Sequence, residues 1–289
     1  MQKTSTTIGL IQMKMEAAPE KNLAKAVKKI TEAAKRGAKI ICLPELFNTL
    51  YFPQEKCDKA AFDLAEDATK GKTVTALQPL ARKLKVVIIA PFYEKAGKKF
   101  FNTAVVIDAD GKLLNPYRKI HIPQDPHFWE KNYFAEGDKG YQVYKTRYGN
   151  FSVLICFDQW YPEAARIVTL AGAEIIFYPT AIGYLRGYKS KDGEWADAWE
   201  TVMRGHAIAS GTHIAAINRV GIENRMQFWG RSFVSDSFGK ILKRGSSSEE
   251  IIVQKVNLAH NKRIREGWGF LRNRRPETYN SLTKPVAKR

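Results

Sequence analysis

Short apolar runs alternate with amphipathic helical segments along almost the whole chain, and this limits the available folds more than any other feature. The runs "TTIGLIQM" (6–13), "AKIICLPE" (38–45), "VVIIAPFYE" (86–94), "FSVLIC" (151–156), "EIIFYPT" (174–180) and "HIAAIN" (213–218) read as buried strands. Between them lie helical patterns. Pro19 opens one in which Leu23, Val27, Ile30 and Ala34 fall at helical spacing and Gly37 marks a stop. Others span 75–84, 162–173 (with Pro162 suited to a first turn) and 195–210. "FFNTAVVIDADGKLL" (100–114) reads as a hairpin arm turning at Asp110-Gly111, and further strands are expected at 228–236 and 250–258. "GSSSEE" (245–250) is long enough only for a hairpin loop. No linker, repeat or low-complexity segment interrupts the series, so one α/β domain over 1–289 is expected.

Composition narrows the function classes. Hydrophobic residues make up 44% of the 289, enough for a large core. The most apolar runs, 40–47 and 86–92, are far shorter than the roughly 20 residues of a membrane helix, and no membrane association is expected. The start, "MQKTSTTIGLIQMKM", lacks the order of a signal peptide. Cys42, Cys57 and Cys156 form neither a disulfide framework nor a zinc-type spacing. We therefore expect a cytoplasmic protein with reduced thiols and no metal. Lys and Arg number 47 against 29 Asp and Glu, a net charge of +18. From residue 255 onward, ten of these cations face only Glu266 and Glu277. A basic surface can hold nucleic acid nonspecifically. No helix-turn-helix, RNP-type or zinc-finger signature accompanies the charge, so no specific nucleic acid is expected.

Three chemistry-bearing residues stand at or just after the end of an apolar run, where α/β folds place ligands. Glu45 follows "IICLP", Lys119 lies in "NPYRKIHIP" and Cys156 ends "FSVLI". A strand that breaks into a turn and then a helix, as "CFDQWYP" allows, can present a thiol beside backbone N–H groups that meet an oxyanion. A cysteine nucleophile needs a base. None of His121, His127, His206, His213 and His260 sits in a Cys/His/Asn signature. A partly desolvated glutamate can serve instead, and Glu45 between Pro44 and Leu46-Phe47 fits. Lys119 in a pocket can neutralise an oxyanion. Taken singly, each residue also fits an ordinary role: a buried thiol, a solvated carboxylate, a surface cation.

Together, "LPELF", "YRKIHIP" and "ICFDQWYPEAAR" resemble the three signature segments of the nitrilase superfamily, in its order and at its separations. The likeness continues through 172–183, 217–221, 230–236 and 269–279, and so covers nearly the whole chain. The resemblance implies a four-layer α-β-β-α sandwich, a Glu45–Lys119–Cys156 triad, and a second glutamate that maps to Glu130 in "HFWEKNYF". It implies no cofactor. It further implies a homo-oligomer, whose interface the basic segment 259–289 is expected to reach. An intact triad argues against a non-catalytic scaffold.

The superfamily hydrolyses nitriles, amides and N-carbamoyl compounds. In the implied mechanism Glu45 takes the thiol proton, and the Lys119 ammonium and the Phe157 backbone N–H meet the oxyanion. "CFDQWYPEAAR", "IPQDPHFWEKNYF" and "LRNRRPETY" are most similar to the N-carbamoylputrescine amidohydrolases, which release putrescine, CO2 and ammonia. Gln159-Trp160 stands where relatives acting on carbamoyl amino acids carry arginines, so a bidentate carboxylate clamp is missing there. Other ureido compounds, carbamoyl-β-alanine and ω-amides remain alternatives. "LFNTLYF" departs from the usual continuation at Asn48 and Leu50. A +18 chain also repels a cation at long range, though salt screens this beyond about 8 Å. Candidates to hold a distal ammonium are Asp125, Glu194 and Asp197, with Trp195 or Trp199 as a cation–π surface.

Overall fold

A computed structural model describes residues 4–188 and 191–285. Along the chain the strands are β1 (Ser5–Gln12), β2 (Ile40–Cys42), β3 (Val87–Ala96), β4 (Lys99–Ile107), β5 (Tyr117–Arg118), β6 (Tyr144–Thr146), β7 (Gly149–Val153) and β8 (Ile175–Pro179). They continue as β9 (Gly183–Leu185), β10 (His213–Ile217), β11 (Val220–Glu223), β12 (Met226–Trp229), β13 (Phe233–Ser235), β14 (Ile241–Arg244) and β15 (Glu250–Asn257). The helices are α1 (Pro19–Lys35), α2 (Lys72–Leu84), α3 (Pro162–Leu170), α4 (Trp195–Ser210) and α5 (Leu258–Trp268).

One six-stranded sheet has the order β15-β1-β2-β3-β4-β5 and a second β14-β13-β10-β8-β7-β6, with β11-β12-β9 as a small third sheet. Each large sheet is built on parallel strands, β1-β2-β3 in one and β7-β8-β10 in the other, joined through helices. Strand periodicity of two divides the apolar side chains between two cores. In the first sheet Ile40, Cys42, Val87 and Ile89 join the core shared with the second sheet. Their neighbours Ile41, Ile88 and Val105 turn the other way, onto Ile30 and Ala33 of α1 and Val74 and Leu77 of α2. The second sheet packs with α3 and α4 through Val168, Trp199 and Met203. The result is the expected α-β-β-α sandwich, and strands covered on both faces explain the unbroken apolar runs. α1 lies close on β1: a Cβ on Gly9 would come 3.4 Å from that of Ala33.

Two sequence expectations need correction. The run 228–236 is not one strand: Gly230 (φ 66) and Arg231 (φ 55) turn the chain, so β12 joins the small sheet and β13 the second large one. The segment 245–250 is not a hairpin loop but the crossing from β14 in one sheet to β15 in the other. Gln12 holds that crossing by donating Nε2 to Ser246 O at 2.9 Å and Ser248 O at 2.6 Å. The basic C-terminal segment opens as α5, whose N-cap is Asn257. Its last four residues, 286–289, lie outside the described residues.

Candidate active site

Glu45 stands three residues beyond β2 and Cys156 three beyond β7, at the carboxyl ends of parallel strands in opposite sheets. Both ends bend into left-handed backbone, with φ 48 at Leu46 and φ 45 at Cys156 itself. Such residues cost about 1–3 kcal/mol and persist only where their surroundings hold them. For Cys156 the holding group is the buried Asp158. Its Oδ2 accepts from Ile155 N at 2.8 Å and from Tyr117 Oη at 2.7 Å. Its Oδ1 accepts from His121 N at 3.0 Å and lies 2.7 Å from His121 Nδ1. The Cys156 turn is thereby tied to the segment on either side of Lys119. That segment is pressed close from the other side: a Cβ on Gly137 would fall 2.1 Å from Arg118 O.

Lys119 Nζ donates to Glu45 Oε1 at 2.8 Å and to Glu130 Oε2 at 2.6 Å, and all three side chains are buried. Asn102 of β4 donates Nδ2 to Glu45 Oε1 at 2.7 Å and accepts Lys119 N at its carbonyl at 2.9 Å. Tyr51 donates its hydroxyl to Glu130 Oε1 at 2.8 Å. An ammonium has three protons, and two are placed. The third is available to an oxygen in the site. Glu45 Oε2 has no hydrogen-bond partner among the described residues, which leaves it open to accept a proton.

Burial pulls Lys119 down, but Glu130 and Glu45 outweigh it and hold the ammonium above the usual lysine range. Burial pushes Glu130 up to about 7, opposed by Lys119 and reinforced by Glu45. The Cys156 thiol is pushed well up, first by burial and then by Glu45, while Lys119 and the Ala181 backbone N–H favour the thiolate. Burial and Glu45 thus favour the protonated thiol over the thiolate.

A cavity of about 340 Å³ opens at Cys156. Among the described residues, Glu130 and Asp125 are the other titratable groups lining it, and the walls are apolar, chiefly Phe128, Phe157, Trp160 and Trp195. An adjoining cavity of about 490 Å³ shares Asp125, Phe128 and Trp195 and adds Arg186 and Arg225. Among the described residues no His, Cys, Asp and Glu cluster could hold a metal ion.

The structure thus brings Glu45, Lys119, Glu130 and Cys156 together, with Phe157, Asp125 and Trp195 on the cavity wall. Three of the residues expected to hold a distal ammonium lie elsewhere. Glu194 caps α4 by accepting from Ala196 N at 3.4 Å and bonds Tyr184. Asp197 is exposed and pairs with Arg231 at 2.8 Å. Trp199 is wholly buried and donates Nε1 to Gln159 Oε1 at 2.8 Å. Gln159 also accepts from Thr180 at 3.1 Å, so of the pair Gln159-Trp160 only Trp160 reaches the cavity. Sequence reasoning missed Tyr51, Asn102, Asp158 and Ala181, which carry no motif of their own; Asp158, inside "CFDQW", was the most accessible of them.

The carbon-nitrogen hydrolase family model matches residues 7–266. A citrullinase of Francisella tularensis is 40% identical over 285 residues, covering 96% of this chain and 98% of that one. An N-carbamoylputrescine amidase of Oryza sativa is 38% identical over 289 residues, covering 96% and 95%. A carbon-nitrogen hydrolase crystal structure from Helicobacter pylori matches with a TM-score of 0.93 at 38% identity, covering 98% of this chain and 100% of that one. The chain therefore belongs to the carbon-nitrogen hydrolases of the nitrilase superfamily, and it is a hydrolase of non-peptide carbon–nitrogen bonds.

Proposed function

We propose that the protein hydrolyses N-carbamoylputrescine to putrescine, CO2 and ammonia. Cys156 attacks the ureido carbon as Glu45 takes its proton through the unpartnered Oε2. The third Lys119 proton and the Phe157 backbone N–H meet the oxyanion, a donor of this kind contributing about 3–4 kcal/mol. Glu45 returns the proton to the departing amine, leaving a carbamoyl thioester. Water, deprotonated by Glu45, releases Cys156 and a carbamate that breaks down to CO2 and ammonia. Glu130 orients Lys119 through the 2.6 Å hydrogen bond.

The observation that carries the substrate choice is the cavity wall. It is apolar, as a butyl chain requires, with Asp125 as a carboxylate for the distal ammonium and no Lys or Arg among its described lining residues. Trp195 and Phe128 offer cation–π faces beside it. The relatives named N-carbamoylputrescine amidase support the same choice.

A second reading, citrulline, is favoured by the adjoining cavity. There Asp125 could take the α-ammonium and Arg186 or Arg225 the carboxylate. The relative named citrullinase points the same way. Ammonia release from N-carbamoylputrescine, citrulline, carbamoyl-β-alanine and a short ω-amide, assayed side by side, separates the readings. N-carbamoylputrescine is expected to give the highest kcat/KM, with Asp125→Asn raising its KM about tenfold. Preference for citrulline, lost on Arg186→Ala and Arg225→Ala, selects the second reading. Near wild-type turnover in Cys156→Ala ends the triad assignment. We further infer a cytoplasmic homo-oligomer: Cys42, Cys57 and Cys156 are all free thiols, and the exposed Ile167, Leu170 and Trp268 offer apolar surface to a second copy.

A further inference from the structure

Arg219 follows β10 and is wholly buried, and its side chain bonds the loop after β2 and Glu223. Nη2 donates to Glu45 O at 2.7 Å and Leu46 O at 2.8 Å. Nη1 donates to Thr49 O at 3.3 Å and to both carboxylate oxygens of Glu223, at 2.9 and 3.0 Å. Glu223, also buried, in turn accepts Tyr51 N at 2.6 Å. One ion pair therefore grips residues 45, 46, 49 and 51. These carbonyls lie where the chain has left β2, and buried carbonyls need partners. The grip is also applied where it is most needed, since Leu46 is held at φ 48. Tyr51 carries the effect onward, because its hydroxyl bonds Glu130. Both carboxylates that flank Lys119 are thus referenced to a strut from the other half of the sandwich.

We propose that Arg219, backed by Glu223, is a positioning residue for the base Glu45. It acts through the 45–51 loop and touches neither substrate nor sulfur; the inference rests on Glu45 being the base. The planar guanidinium serves four acceptor groups at once here, three carbonyls and a carboxylate, one more than the three protons of a lysine ammonium can. Arg219→Lys keeps the charge beside Glu223 and removes the multiple grip. The double variant Arg219→Met/Glu223→Met removes both charges and serves if the single variant fails to fold.

The test measures kcat, KM, melting temperature and the rate of Cys156 alkylation by iodoacetamide, using the panel ureide that the wild type turns over best. Arg219→Lys, or the double variant, is expected to lose about 10²-fold in kcat, the scale of a roughly 1 Å misplacement, with KM within about twofold. Cys156 alkylation should slow in parallel, since the thiol loses its aligned base. A folded variant with kcat and alkylation within about twofold of wild type overturns the clamp, as does a kcat loss that disappears on assay at lower temperature. Glu45→Gln in the same assay separates the two assumptions. Activity retained there removes the base assignment and the clamp with it. Activity lost there but kept in Arg219→Lys removes the clamp alone.

Discussion

Glu45, Lys119 and Glu130 put two carboxylates and one ammonium into a buried cluster. The arrangement is stable only because the ammonium neutralises part of that charge. Removing it shows what it does. In Lys119→Met the influence that lowers Glu130 is gone, while burial and Glu45 still raise it. A carboxyl whose folded pKa lies above its unfolded value stabilises the fold at low pH and loses that contribution as pH rises through the folded value. The melting deficit of Lys119→Met against wild type should therefore widen from pH 5 to pH 8, toward the about 3–5 kcal/mol of a broken buried pair. Turnover should be lost throughout that range. A deficit independent of pH would show that the carboxylates are not the groups left uncompensated. At this scale the sequence singled out Glu45, Lys119 and Cys156 because each sits in a segment that resembles a family signature. It concealed Tyr51, Asn102, Asp158 and Arg219, because what they do depends on partners brought together from other strands.

Elements were legible where both faces are buried. The continuous apolar runs of β1, β2, β3, β8 and β10 announce strands covered on each side. They were not legible where backbone conformation rather than hydrophobicity decides. Gly230 and Arg231 cut one apparent strand into two, and nothing in "FWGRSFVSD" distinguishes that turn from a strand glycine. α5 was hidden by its charge, since Leu258, Asn261 and Ile264 supply its buried face. What fixes α5 to the second sheet is polar: His213 of β10 lies 2.6 Å, Nδ1 to Oδ1, from Asn261, which donates Nδ2 to Glu174 O at 2.7 Å. Burial holds His213 down at about 4. His206 is lowered in the same sense, also by burial. A depressed folded pKa gives stability that is present above the unfolded value near 6.5 and is lost as pH falls toward the folded one. Wild type should lose up to about 3 kcal/mol through His213 between pH 6.5 and 4, and His213→Leu should not. Urea midpoints at pH 7 and pH 4.5 measure the difference. Equal acid sensitivity in the two proteins would assign it to another group.

On the scale of the whole molecule, the two halves each supply what the other lacks. The first sheet carries Glu45 and Lys119, the second carries Cys156, and Asp158 and Arg219 bind the halves across the site. The outer faces of the two halves are unlike. On the second half Ile167 and Leu170 of α3 stand 44% and 46% exposed, beside a cavity lined by Phe270 and Leu282 from the C-terminal segment. Near them Phe238, Trp268 and Phe270 form a stacked row, with Trp268 57% exposed. Contiguous exposed apolar side chains of this kind mark an association surface. Arg166, next to Ile167, and Arg274 face the same cavity, and desolvation together with Arg274 lowers Arg166. The basic segment thus lies beside the apolar one, as an interface with a polar rim requires. We therefore expect a second copy to cover α3, with Ile167→Glu/Leu170→Glu shifting the mass in solution from a multiple of 32.8 kDa to 32.8 kDa itself. Light scattering on the eluting peak decides it: a wild type already at the single-chain mass sinks the idea, and so does a double variant that stays assembled.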